Sequence, residues 1–309
     1  LEGGVTELGP NLKSWLSERL SQEATFEFGL SVRQGRSLEK VGCSTVEVDA
    51  AAVSKAASEL SMIITDDGLF HDSLPDGLSS KDAHFFLAGL VSRTRLRGGV
   101  LHPWLKGFAE SRGNRYLLSK RHQPCSSIFG QSSVYPRFLL AQKPVQGNRS
   151  VFDVFGGSGQ HLTWYRDWAS RTLGVDWKDP GIEQLYREAL AMLTRSGVFF
   201  KLATEGNGQD VWGVDPQSLT LVAEVREVVC SECNEPHRLP FGEIELWEGQ
   251  PCTKYRCTGK WGKAAKLEDT FYTRIYRSGR IARVFSDEHT GLLERAEREK
   301  LEERFKEGT

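Results

Sequence analysis

Several things are missing from this 309-residue chain, and each absence narrows its function. No apolar run approaches the roughly 20 residues that a membrane-spanning helix needs. No Gly-x4-Gly-Lys-Ser/Thr occurs, so the chain has no phosphate-cradling loop of that kind and cannot hold a nucleoside triphosphate by that route. No Ser/His/Asp or Cys/His set can be assembled for nucleophilic catalysis, so the chain is not expected to be an enzyme on its own. There is no internal repeat and no long low-complexity tract. Of six cysteines, the two outside one short stretch are isolated, which with the lack of a signal peptide argues against a disulfide scaffold. No recognisable leader precedes the first elements. Together with thiolate chemistry this gives a cytoplasmic expectation.

Four of the six cysteines fall in one stretch. Cys230-Ser-Glu-Cys233 is followed by 18 residues and then by Cys252-Thr-Lys-Tyr-Arg-Cys257. Two close pairs at that interval match the layout of a four-thiolate zinc site. Each pair sits on a tight knuckle that aims two sulfurs at one point, and the interval allows a short hairpin out and back. Tetrahedral Zn2+ would replace the apolar core that about 30 residues cannot build. Four thiolates close the coordination sphere, so the role is structural. His237 is an alternative fourth ligand, and a pair of disulfides is the alternative chemistry. Cys43 and Cys125 stand in ordinary contexts and are assigned to buried packing.

The net charge is −1, but its distribution is uneven. Residues 91–150 hold eleven Lys/Arg and one acid, Glu110, whereas residues 39–90 hold nine acids and three lysines. In the basic block Arg93, Arg95, Arg97, Arg112, Arg115, Tyr116, Lys120, Arg121, His122 and Arg137 alternate with Trp104 and Phe108. Cations interleaved with rings suit a nucleic-acid groove, with charge for phosphates and flat faces for bases.

The periodicities predict an α+β chain in four parts: a mixed region over 1–150, a winged helix over 151–225, a zinc ribbon over 226–262, and the start of a RecA-like segment over 263–309. Trp15, Leu16 and Leu20 mark a short N-terminal helix. Phe26 to Val48 reads as strands and turns, with Val46 and Val48 alternating as in a half-buried strand. Asp49 caps a helix from Ala50 to about Ile63, and a second runs from Ser80 to Arg95. Val151–Gly159 is assigned to a glycine-rich linker. It has the look of a methyltransferase cofactor loop, but the Asn/Asp-Pro-Pro-Tyr/Phe motif such enzymes need is missing. Helices follow over Thr163–Leu173 and after Asp179-Pro180. Strands over 198–202 and 211–214 flank a turn. Helix, helix and hairpin is the order of a winged helix. Its second helix carries Glu183, Arg187, Glu188 and Arg195, which suits a spacer as well as a reader. Leu267–Ser278 is predicted helical, then Ile281–Phe285 a strand and Glu294–Lys306 a charged helix.

Glu288-His289-Thr290-Gly291-Leu292, followed by Arg298, Leu301-Glu302, Phe305 and Gly308, resembles a motif of superfamily 2 nucleic-acid helicases of the Lhr and Ski2-like branches. There, His-x-Gly-Leu precedes a helix with Arg-x-x-x-Glu and a closing Phe-x-x-Gly. The basic block and the cysteine pairs also look like accessory regions of large bacterial DEAD/DEAH-box helicases, some of which serve in DNA repair or phage defence. The resemblance implies that His289, Gly291 and Arg298 are motor-motif residues, with His289 and Arg298 positioning a helix, and that ATP and Mg2+ are held only by the rest of the parent protein. It implies an excised accessory piece whose partners are DNA, single-stranded or forked, or RNA, and the rest of the motor. The alternatives are a freestanding winged-helix and zinc-ribbon regulator of duplex DNA, and a protein-interaction scaffold with an acidic partner.

Overall fold

The computed structural model describes residues 10–29, 37–70, 72–74, 76–118, 135–142, 152–157, 161–204 and 208–278. The predicted strand over 281–285, the charged helix after it, and His289, Gly291 and Arg298 lie outside the described residues, as do Lys120, Arg121, His122 and Cys125.

Polar caps set the two central helices. The Asp49 carboxylate accepts the Ala52 N–H at 3.0 Å and opens α2 (Ala50–Asp67). The Ser79 hydroxyl oxygen accepts the Asp82 N–H at 3.1 Å and opens α3 (Ser80–Leu96). Gly68, at φ 60°, closes α2 in the left-handed conformation that glycine adopts without steric cost. Val53, Ala56, Ala57, Leu60 and Ile64 form the buried stripe of α2, which packs on α3 and on α6 (Ile182–Arg195). On α6, Ile182, Leu185, Leu190 and Leu193 are all fully buried, as their spacing predicts. The helix starts at Ile182, two residues beyond Pro180. Asp179 tightens the preceding turn by accepting the Gly181 N–H at 2.7 Å.

The helix α5 (Trp164–Leu173) docks across α3 through a cutaway at Gly89. A β-carbon there would sit 2.0 Å from Cζ2 of Trp168, whose side chain is fully buried. The indole N–H of Trp168 donates to the Phe86 carbonyl at 3.1 Å.

The first helix, α1, spans Pro10–Gly29 and takes in Phe26 and Phe28, which the sequence reading gave to strands. Tertiary packing overrides their β preference. Phe26 enters a second core with Leu105, Phe108 and Phe138, and the Phe28 carbonyl accepts a bond from Arg95 at 2.6 Å. Leu20, expected on the apolar face with Trp15 and Leu16, is exposed while those two are half-buried.

Three small sheets complete a mixed α+β architecture. β1 (Thr45–Val48) pairs antiparallel with β6 (Leu219–Val222), Thr45 facing Val222. A four-stranded sheet runs in the order β3 (Phe152–Val154), β2 (Phe138–Leu140), β5 (Asp210–Val214), β4 (Phe199–Ala203). Only β2 and β3 are parallel. The third sheet is β8 (Pro236–Pro240), β7 (Val225–Val229), β9 (Ala265–Lys266). Short helices α4 (Lys106–Glu110), α7 (Ile244–Trp247) and α8 (Phe271–Arg277) fill the gaps. Among the described residues, no helix is long and apolar enough to cross a membrane.

The stretch assigned to a glycine-rich linker contains a strand among its described residues. β3 lies within it, Phe155 is buried, and the Gly156 N–H donates to the Ala141 carbonyl at 2.9 Å. The helix–helix–hairpin order over 164–214 is present, but the hairpin is not a free wing, because β2 pairs with its β5 strand. Strands from both sides of residue 150 therefore share one sheet. β1, from the predicted first region, pairs with β6 near the end of the second, and β8 of the cysteine region packs on β1.

Candidate metal centre and arginine cluster

The backbone turns at Cys230–Cys233 and Cys252–Cys257 bring all four sulfurs within 4.8 Å of one another. Cys230 and Cys257 Sγ are 3.6 Å apart, and Cys233 and Cys252 Sγ are 3.8 Å apart. Zinc–sulfur bonds of about 2.3 Å in a tetrahedron place the sulfurs about 3.8 Å apart. The group could therefore hold a metal ion such as zinc, and the thiols are free rather than bridged. Each knuckle turns N–H groups toward a sulfur. Amides of Glu232 and Cys233 face Cys230, and the Lys254 amide lies 3.4 Å from Cys252 Sγ. Asn234 at φ 54° and Arg256 at φ 59° give the two knuckles their left-handed bends.

These donors separate the thiols electrostatically. Burial alone would raise the Cys230 thiol, but the facing amides and neighbouring thiols bring it down to about 7. Burial keeps Cys252 and Cys257 above the usual thiol range. A bound cation would override these differences, since it binds thiolates and releases their protons.

His237 is not a fourth ligand. It is buried with its ring 4.3 Å from that of Trp247 and 5.4 Å from that of Trp261. Burial, then the charge of Arg95, brings its pKa down to about 4. It serves as a packing element against the two indoles. Gly259 was not singled out by the sequence reading, yet a β-carbon there would lie 2.5 Å from Cys230 Sγ.

The second knuckle is tied to α5. The Trp164 indole N–H donates to the Thr253 carbonyl at 2.7 Å, and the Arg171 guanidinium donates to the carbonyls of Cys252 and Lys254. Asp167 accepts from Arg171 at 2.8 Å and from the Arg256 N–H at 3.0 Å.

The structure divides the basic block. Arg95 is only 5% exposed and faces inward, pairing with Glu39 at 3.0 Å and bonding the Phe28 carbonyl. Its geometry is that of a buried staple and leaves no face for a phosphate. Arg93, Arg97 and Arg137 converge on a second carboxylate, Asp153, at 3.3, 2.9 and 3.8 Å. Tyr165 donates its hydroxyl to the same Asp153 at 3.2 Å, and burial raises its pKa so that it stays a donor. Burial, opposed by Asp153 and reinforced by Arg93 and Arg137, lowers the pKa of Arg97. Arg93 also lies 4.2 Å above the Trp164 ring.

Arg112 sits in a left-handed turn at φ 56°. Arg115 and Tyr116 open a 3-10 turn, with the Arg115 guanidinium 4.3 Å from the Tyr135 ring and Tyr116 exposed. Glu39 and Asp153, neither of which the sequence reading singled out as a counter-charge, pair with these arginines. Both lie outside the 91–150 window, so the charge count of that block does not reveal the pairing.

The chain matches no protein-family model, and it has no significant match among curated proteins or solved structures.

Proposed function

We propose that this chain is a nucleic-acid-binding accessory region, with DNA the favoured ligand, whose metal centre binds zinc and braces the frame. The observation that carries the reading is the cluster at Asp153. Three guanidiniums share one carboxylate that is itself mostly buried, so two positive charges are left over. Arg137 and Arg97 keep a substantial part of their side chains open, at 41% and 30%. The segments adjoining the cluster in sequence, 119–134 and 143–151, add Lys120, Arg121, Lys143 and Arg149 and contain no acid. A phosphate diester is an anion that such a cluster, with bidentate donors, recognises well.

The rest of the chain serves as support in this reading. α5, α6 and the β4–β5 hairpin act as a winged-helix-like spacer. On α6, Arg187 pairs with Glu183, Gln184 with Glu188, and Arg195 with Glu59 across to α2, so its outer face is internally matched. The setting suggested by the helicase resemblance is an ATP-driven superfamily 2 motor, with residues 263–309 leading into a RecA-like domain. This chain would then hold a strand while the motor consumes ATP elsewhere.

The test is binding of labelled single-stranded, forked and duplex DNA and of RNA by zinc-loaded protein across a salt series. Each single-strand phosphate contact contributes about −0.7 to the slope of log K against log salt. The double variant Arg97→Gln/Arg137→Gln is expected to reduce that slope by roughly 1 to 1.4. Salt-independent binding, or an unchanged slope in the variant, refutes the reading. Tight binding to an acidic protein surface with none to nucleic acid would favour the scaffold alternative.

A further inference from the structure

The second cysteine knuckle carries charge that the brace does not need. Residues 249–267 contain Lys254, Arg256, Lys260, Lys263 and Lys266, all exposed, and no acid. At the tip, Tyr255 keeps 40% of its surface open while its hydroxyl donates to the Leu162 carbonyl, which fixes the ring in place. The Arg256 guanidinium lies 5.0 Å from the centre of that ring.

This tip is linked to the arginine cluster by direct contacts. Arg93 is 3.3 Å from Asp153 and stacks at 4.2 Å over Trp164, whose indole N–H donates to Thr253, the residue before Lys254. One indole thus separates a three-guanidinium cluster from a cationic, ring-bearing tip. Two of the acids near the tip are paired. Asp167 is matched by Arg171 and by the Arg256 N–H, and Glu235 lies 3.9 Å from Lys254 in an open pair that salt screens. Glu232 sits on the first knuckle, against Gly259.

We propose that the knuckle tip is a second contact for the same nucleic-acid strand. One track runs from Arg137 and Arg97 past Arg93 and Trp164 to Lys254, Tyr255 and Arg256. The two surplus charges of the cluster hold two adjacent phosphates, the tip cations hold phosphates further along, and the fixed Tyr255 ring offers a face to a base. The metal then does more than brace, because Cys252 and Cys257 frame the tip and fix its shape. This inference rests on the reading of the arginine cluster given above.

The test uses the full chain loaded with zinc and a fluorescein-labelled oligothymidine of about 20 nucleotides. The double variant Lys254→Gln/Arg256→Gln is expected to retain its zinc and its melting temperature. Its salt slope falls by roughly 1.4, and its affinity at low salt by about an order of magnitude. Tyr255→Ala is expected to lower affinity roughly tenfold with the slope unchanged, as loss of a stacking partner does. If the double variant binds like wild type while Arg97→Gln/Arg137→Gln loses affinity, the track is refuted and the cluster stands. If both pairs leave binding unchanged, the cluster fails too. Should the double variant lose zinc, Lys254→Gln alone carries the test at half the slope, since only its backbone N–H faces Cys252.

Discussion

Arg95 separates interior from surface arginine, and its partner gives the sharpest test. Glu39 and Arg95 are 4% and 5% exposed. Their oxygens and nitrogens meet at 3.0 and 3.2 Å, and Glu39 also accepts from the Thr45 hydroxyl at 2.7 Å. Glu39→Gln keeps the shape but leaves a buried guanidinium without its counter-charge. Removing one partner of a buried pair costs about 3–5 kcal/mol. With an unfolding entropy of about 2.1 cal/mol/K per residue, a chain of this length loses about 1.5 °C for each kcal/mol, so the melting temperature is expected to fall by about 5–8 °C. Glu39→Leu with Arg95→Met removes both charges and is expected to recover most of that loss. Acid titration adds a second readout. Burial would raise the Glu39 carboxyl, but the charge and hydrogen bonds of Arg95, with the Thr45 bond, hold it below its ordinary 4.5. A depressed carboxylate contributes stability that is present above 4.5 and lost as pH falls through the folded value. Glu39→Gln should therefore abolish that acid-side loss. Thermal melts by tryptophan fluorescence at a series of pH values measure both effects. A Glu39→Gln melt within 1 °C of wild type would show that the pair holds nothing together. An Arg95→Gln variant that lowered the DNA salt slope as Arg97→Gln does would place Arg95 on the surface after all.

Other expectations follow from the metal centre and its surroundings. Plasma emission analysis should find about one zinc per chain, and Cys252→Ser should lose it and melt the 225–266 region, read as a loss of amide-exchange protection there. Gly259→Ala, which drives a methyl against Cys230 Sγ, should weaken zinc retention in a chelator competition while leaving helix content unchanged. His237 is held neutral with a pKa of about 4 against an ordinary 6.5, so the unfolded chain binds the extra proton between those values. Stability should therefore fall by up to about 3 kcal/mol as pH drops from 6.5 to 4, and His237→Phe should flatten that limb in urea titrations.

The sequence made some elements readable and hid others for definite reasons. α2, α3 and α5 carry cap residues at their starts, Asp49, Ser79 and Thr163, and α6 a clean buried stripe. Local chemistry and period agree there, and the helices form close to where they are expected. The cysteine pairs announced their convergence because metal-ligand spacing is a short-range signal. Phe26 and Phe28 misled because aromatic residues favour strands unless a distant core claims them, and Leu105, Phe108 and Phe138 do so. β2 and β3 are three residues each, too short to show a two-residue period. The basic block misled differently. Its cations were counted against neighbours in sequence, whereas their counter-charges come from 56 residues upstream at Glu39 and from just past the window at Asp153.

The pairing of β1 with β6 has a consequence for how the chain is made. At 5–20 residues per second, a ribosome needs roughly 10–35 s to synthesise the stretch between the two strands. Until then Thr45–Val48 has an open edge with unspent hydrogen-bonding groups. The nascent α2–α3 pair can form early and shelter its own apolar stripe, but closing this ribbon must wait for the far end to emerge. The joining of these two four-residue strands is therefore an order-dependent event in this protein's birth, and any pause in translation before residue 219 prolongs the interval in which another chain can take that edge.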